Sequence, residues 1–170
     1  MTTHGNRPLL FLDVDGPLLP FGDGPQRERA GTASDSHLAR LVLQAGLRLA
    51  ALPCDLVWAT TWEEEANIEL APRLGLPQLP VVNWPEPSAA HEREDQWFGL
   101  HWKTRTLVAW ADGRPFAWVD DEITDADRDW ASTRHPAPVL LHRIASSRGL
   151  TDHDFAVLDQ WLRLDGGSPR

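Results

Sequence analysis

Short apolar runs alternate along this chain with stretches whose apolar residues recur at helical spacing. Leu9, Leu10, Phe11, Leu12 and Val14 make a near-continuous apolar run that stops at Asp15-Gly16-Pro17, so Pro8 to Val14 reads as a buried strand. Residues 16–34 are rich in Gly, Pro and Asp and read as a loop. Ser34 or Asp35 then offers an N-cap, and Leu38, Leu41, Val42, Ala45 and Leu49 keep helical spacing up to Pro53. Asp55 to Thr60 is a second strand. Trp62 to Leu74 is a helix with Glu63, Glu64 and Glu65 in its first turn, where the helix dipole favours them. Leu79 to Asn83 reads as a short third strand and Trp84 to Gly99 as a polar loop. Leu100 to Ala111 is a helix, Phe116 to Val119 a fourth strand, Asp125 to Thr133 a short helix and Val139 to Arg143 a fifth strand. A last helix spans Thr151 to Leu164, opened by the cap signature Thr151-Asp152-His153-Asp154.

Regular alternation of strand and helix predicts an α/β domain: a Rossmann-like open parallel sheet of about five strands with helices on both faces. At 170 residues, with 42% hydrophobic and 24% charged positions, the chain has the size and composition of one globular domain over 1–170. Cys54 is the only cysteine, which excludes an intramolecular disulfide and a cysteine-based zinc site. Apolar runs such as Val139-Leu140-Leu141 are too short to span a bilayer. The N-terminus does not show the basic-then-apolar layout of a signal peptide, since its first apolar stretch runs straight into Asp13, so a cytoplasmic location is expected, without membrane contact. A net charge of −9 argues against a broad nucleic-acid-binding surface. Fifteen arginines against one lysine, with no tyrosine, is the skew that GC-rich coding produces, which points to a bacterial source.

Ligands of open α/β sheets bind outside the carboxyl ends of the strands. The first predicted strand ends in Asp13-Val14-Asp15-Gly16, the second in Thr60-Thr61, and the fourth in Asp120-Asp121 with Asp125 close behind. If these strands are neighbours, several carboxylates and a hydroxyl share one rim. Such a cluster needs a cation, and oxygen donors alone suit a hard divalent ion, most naturally Mg2+ beside a substrate phosphate.

Asp13-Val14-Asp15-Gly16 after an apolar strand, Thr60 after a second, the lone Lys103, and Asp120-Asp121 after a later strand resemble the four motifs of the haloacid dehalogenase (HAD) superfamily. The phrases Val57-Trp58-Ala59-Thr60-Thr61-Trp62-Glu63, Ala117-Trp118-Val119-Asp120-Asp121 and Gly149-Leu150-Thr151 look most similar to the small HAD-like domain of bacterial Swiss army knife RNA-repair proteins. The resemblance covers nearly the whole chain and implies a phosphatase. Asp13 would then be the nucleophile that forms an aspartyl-phosphate. Asp15 would protonate the leaving oxygen and later deprotonate water. Gly16 would turn the backbone sharply and present its N–H to the phosphoryl oxygens, with Thr60, Thr61 and Lys103 as further phosphate-binding groups. Mg2+ would be held by the Asp13 carboxylate, the Asp15 carbonyl and Asp121, assisted by Asp120 or Asp125.

Each residue also has a plainer reading. The Asp-x-Asp-Gly run could be a surface turn, but a calcium loop fails on spacing, both at Asp13 and at Asp125, where Trp130 stands at the required glycine. Thr60 or Thr61 could simply cap the following helix. Lys103 could be the one position that happened to stay lysine, with Arg105 and Arg73 as substitutes for its role. The acidic run 120–125 could be a solvated helix start. Of nine tryptophans, Trp58, Trp110, Trp118 and Trp161 read as core, while Trp84 and Trp97 in the polar loop are candidates for substrate contact. His91, His101 and His135 read as surface residues.

Neither gap between motifs is long enough for a cap domain, which implies an open site suited to a large substrate. The resemblance implies a terminal phosphate on a nucleic acid or a nucleotide, although only Arg27, Arg29, Lys103, Arg105 and Arg134 could line a groove. Two other classes stay open: a non-catalytic binding module, which usually lacks a nucleophile or metal ligand, and a phosphotransferase on a small molecule, which usually needs a cap to exclude water.

Overall fold

In a computed structural model, residues 7–20 and 32–165 are described, with the backbone alone for 32–39 and 41. Four parallel strands form the sheet: β1 (Leu9–Leu12), β2 (Asp55–Trp58), β3 (Phe116–Asp120) and β4 (Val139–Arg143), in the order β2-β1-β3-β4. The register sets Phe11 beside both Val57 and Trp118, so the first strand lies in the middle.

Successive side chains of a strand face opposite ways, and here both faces are apolar. Leu10, Leu12, Leu56, Trp58, Ala117 and Val119 pack on one side against α1 (Thr32–Ala50), α2 (Ala71–Leu74) and α6 (Asp152–Leu164). Leu9, Phe11, Val57, Phe116, Trp118 and Leu141 pack on the other against α4 (Thr104–Ala111) and α5 (Asp125–Arg134). The result is the α/β architecture expected, helices on both faces of a parallel sheet. No helix among the described residues is long and apolar enough to cross a membrane.

Five places depart from expectation. The predicted third strand is a single parallel bridge from Val81 to Trp58, so among the described residues the sheet has four strands and this bridge rather than five strands. Pro80 has no N–H for a ladder, and Leu79 is instead bonded through both backbone groups by the buried Asn67 amide, at 2.8 Å each. Asn67 also accepts from the Trp58 indole (2.9 Å), so one side chain replaces a stretch of strand pairing. The helix expected from Trp62 starts later, because Glu63 adopts φ 49°, and it contains a π-helical turn, Ala66–Leu70, before α2.

The polar stretch 84–99 is not all loop: it holds α3 (Ala89–Phe98), capped by Ser88 accepting from the His91 N–H (3.2 Å). The helix expected from Leu100 begins at Thr104. Helix α1 begins at Thr32, which puts Ser34 and Asp35 inside it rather than at its cap. The Thr151–Asp154 capping box forms as expected, and a second one joins Thr124 and Asp127.

Candidate active site

The sheet order makes β1 the neighbour of both β2 and β3, so the three chain segments leaving their carboxyl ends meet at one rim. Asp13 leaves β1, buried. Its Oδ1 accepts from the Val14 N–H at 2.9 Å and pairs with the Lys103 ammonium at 3.2 Å. Among the described residues nothing hydrogen-bonds Oδ2.

Lys103 is only 4% exposed, although it stands on the short turn before α4. Its Nζ donates to the Ala59 carbonyl at the end of β2 and to Asp120 Oδ2 at the end of β3, each at 3.0 Å. With Asp13 as the third partner, three N–H groups meet three acceptors, one from each strand end. A compact ammonium fits this convergence where a planar guanidinium does not.

Asp120 is fully engaged, since its Oδ1 accepts from the Glu122 N–H (3.0 Å). Carboxylate oxygens of Asp13, Asp120 and Asp121 lie within 4.8 Å of one another. Burial pushes the Asp13 carboxyl up to about 7; Lys103 opposes the shift and Asp120 adds to it. Burial, then Asp120, also raises Asp121. Three carboxylates against one ammonium leave the rim short of positive charge, and every donor is an oxygen. These residues fit a hard cation such as Mg2+, which Asp13 and Asp121 could hold while Asp120 braces Lys103.

Asp15 is exposed, and its Oδ2 accepts from the Trp62 indole N–H at 3.2 Å. Its side chain is not part of the carboxylate cluster. Gly16 turns the chain with φ 106°, as expected, but its N–H donates to the Leu19 carbonyl at 3.0 Å and is not presented to a phosphoryl group. The glycine also leaves room for Asp121, since a Cβ here would lie a tight 3.1 Å from Asp121 Cγ.

Thr60 is buried and its Oγ1 accepts from the Trp62 N–H (3.2 Å), which leaves the hydroxyl proton free to donate; Thr61 is exposed. The capping and ligand readings of Thr60 are thus compatible.

Other candidates fall outside this cluster. The Asp125 side chain is 93% exposed and paired with Arg128, away from the cluster. Arg105 is held by Asp95 and Glu94, and Arg134 by Glu94, so neither replaces Lys103 or lines a basic groove. Arg73 sits exposed at the end of α2. Arg27 and Arg29 lie outside the described residues. Trp97 is 84% exposed on α3, whereas Trp84 donates its indole N–H to the Thr60 carbonyl (3.0 Å). Trp58 and Trp118 are core residues; Trp110 and Trp161 are partly buried against it.

His91 is exposed, as expected, but His135 is buried and His101 nearly so. His101, Asp120 and Glu122 could be taken for a metal cluster. However, His101 Nδ1 accepts from the Lys103 N–H (3.2 Å), which puts the proton of a neutral ring on Nε2, 2.8 Å from Glu122. Both nitrogens are spent holding the Lys103 turn.

That turn has a second support which the sequence did not announce. Buried Asp127 accepts from the His101 N–H (2.8 Å) and the Thr104 hydroxyl (2.7 Å) through Oδ1, and from Thr124 through Oδ2. The only trace in the sequence is the Thr124-x-x-Asp127 spacing of a capping box.

A model of the HAD domain in Swiss Army Knife RNA repair proteins matches residues 9–155. The chain belongs to this family. No curated protein and no solved structure matches it significantly. The match runs from the start of β1 into α6 and so includes every side chain of the rim. Between Thr60 and Lys103 this HAD domain builds only the π turn, α2, the Val81 bridge and α3.

Proposed function

We propose that this HAD domain is a Mg2+-dependent phosphomonoesterase working through an aspartyl-phosphate on Asp13. The observation that carries the reading is the buried Asp13 carboxylate, with Oδ1 held by Lys103 and Val14 and Oδ2 left free. Mg2+ bound at Asp13 and Asp121 would neutralise charge on the phosphoryl group.

Asp13 Oδ2 attacks phosphorus, and the bond to the leaving oxygen breaks as Asp15 gives that oxygen its proton. Water then attacks the aspartyl-phosphate and hands a proton to Asp15. The Asp13 oxygen–phosphorus bond breaks, releasing inorganic phosphate and the carboxylate. Lys103 stabilises the charge that develops on the transferred group, and Thr60 supplies a hydroxyl donor beside it. Trp62 holds the Asp15 carboxylate in place between the two steps. The open rim and the family's link to RNA repair favour a terminal phosphate on a nucleic acid or a nucleotide as substrate.

Hydrolysis of a generic aryl phosphate tests this, with Mg2+ and with EDTA, on the native chain and on Asp13→Asn. Turnover that needs Mg2+ and disappears in the variant is the expected result. No turnover, with Mg2+ also failing to raise the melting temperature, would overturn it.

A further inference from the structure

Beside Lys103 the indoles of Trp84 and Trp102 meet edge to face, with ring centroids 4.9 Å apart at 73°. The Lys103 ammonium lies 5.8 Å from the first ring and 5.5 Å from the second. The same nitrogen is 3.2 Å from Asp13, so a single ammonium stands between the two rings and the proposed nucleophile. The Trp84 indole is also hydrogen-bonded to the carbonyl of Thr60, which fixes it against the rim.

These rings form one wall of a cleft of about 370 Å³ that continues past Pro85 and Pro87 to α3. Trp102 is 49% exposed, so its ring is accessible to a ligand in the cleft. We propose that this cleft is the leaving-group subsite of the phosphatase and that it takes one planar aromatic ring, as in a nucleoside monophosphate. The proposal rests on the phosphatase reading above.

Three observations converge on that ligand. One wall is apolar, two indoles and two prolines, which suits stacking, and the facing side carries carboxylates. A volume of about 370 Å³ lies near the lower end of ligand pockets, enough for one base and its sugar. The charge at the cleft excludes more phosphates. Glu86, Glu92 and Asp95 line it against a single guanidinium, Arg105, which Asp95 and Glu94 already hold at 2.7 and 3.0 Å. A strand continuing beyond its first nucleotide would bring phosphodiesters against carboxylates. The cleft therefore favours a mononucleotide over a phosphorylated strand end.

The test compares kcat/KM with Mg2+ for a nucleoside 5′-monophosphate, ribose 5-phosphate, phenyl phosphate and a 5′-phosphorylated ten-nucleotide strand. The nucleotide should exceed ribose 5-phosphate by about 5- to 100-fold, as expected for one stacked base, mainly through KM. Trp102→Ala should shrink that ratio about tenfold, and Glu86→Gln with Glu92→Gln should improve the strand. Phenyl phosphate matching the nucleotide would identify the ring alone as the recognised group; a nucleotide advantage would add the sugar.

Independently of turnover, the Trp84 and Trp102 indole N–H resonances of Asp13→Asn should shift on titration with the nucleoside monophosphate. Equal use of ribose phosphate, a ratio unmoved by Trp102→Ala, a preference for the strand, or unshifted indole resonances would overturn the subsite. No hydrolysis of any ester, with the resonances still shifting, would instead overturn the phosphatase reading and keep the cleft as an aromatic binding site.

Discussion

Lys103 Nζ and Asp120 Oδ2 lie 3.0 Å apart, both sealed from solvent, and the same ammonium reaches Asp13. Removing that cation leaves two buried carboxylates facing each other. Lys103→Met should therefore cost about 3–5 kcal/mol of unfolding free energy, the scale for breaking a buried ion pair. Lys103→Arg should also lower the melting temperature, because its fork cannot serve three acceptors converging from different strands. Denaturant titration of the three proteins checks both; an Arg variant as stable as the native chain would contradict the argument from shape.

Asp127 joins the start of α5 to the Lys103 turn through four accepted hydrogen bonds. Truncation to Ala strands the buried Thr104 hydroxyl at about 1–3 kcal/mol and removes the Thr124 cap partner, so Asp127→Ala should destabilise the protein by more than an ordinary cap loss. Hydrolysis of the aryl phosphate should fall further than folding alone explains, since the ammonium loses its placement. Activity measured well below the variant's melting temperature separates the two.

A methyl group on Gly46 in α1 would lie 1.9 Å from the Leu74 carbonyl oxygen. Alanine in a helix normally gains about 1 kcal/mol over glycine. Here the sign reverses, and Gly46→Ala should destabilise by about 1–3 kcal/mol, the range for overpacking. Thermal unfolding gives the direction directly.

Burial raises the folded-state pKa of Asp13 to about 7, above the unfolded value of 3.8. The unfolded chain therefore ionises first as pH rises, and this carboxyl takes stability away between about pH 4 and pH 7. In metal-free protein, the melting temperature of Asp13→Asn relative to the native chain should climb across that window and then level off. Mg2+ should flatten the climb, because a bound cation favours the carboxylate. A difference independent of pH would contradict the burial argument.

Much of the rim was legible because apolar strands announce themselves and their last residues have a fixed place in such a sheet. Asp13, Asp15, Thr60, Asp120 and Asp121 follow from that, and Lys103 stood out as the one lysine. Helix α3 gave no periodic signal because none of its residues is buried, leaving only the Ser88 cap to mark it. Asn67 replaces strand pairing through a side-chain amide, which no pattern of apolar positions encodes. From sequence the Gly16 N–H reads as a ligand donor, because nothing in the pattern marks Leu19, three residues away, as its backbone partner. Asp127 acts through partners on other elements, visible only once the chain is folded.

The segment after β4 reaches back to the loop after β1. The Leu150 N–H donates to the Pro17 carbonyl at 2.9 Å, and Gly149, with φ 68°, lies so close to that loop that a Cβ would sit 2.9 Å from Pro17 O. The loop after β1 thus has its seat more than a hundred residues downstream, and β1 itself waits for β3 to complete its pairing. A ribosome must deliver the chain as far as Leu150 before Asp13 and Asp15 can settle into register. Such long-range closure slows folding, and it leaves the Asp13 rim unfinished until that segment has been made.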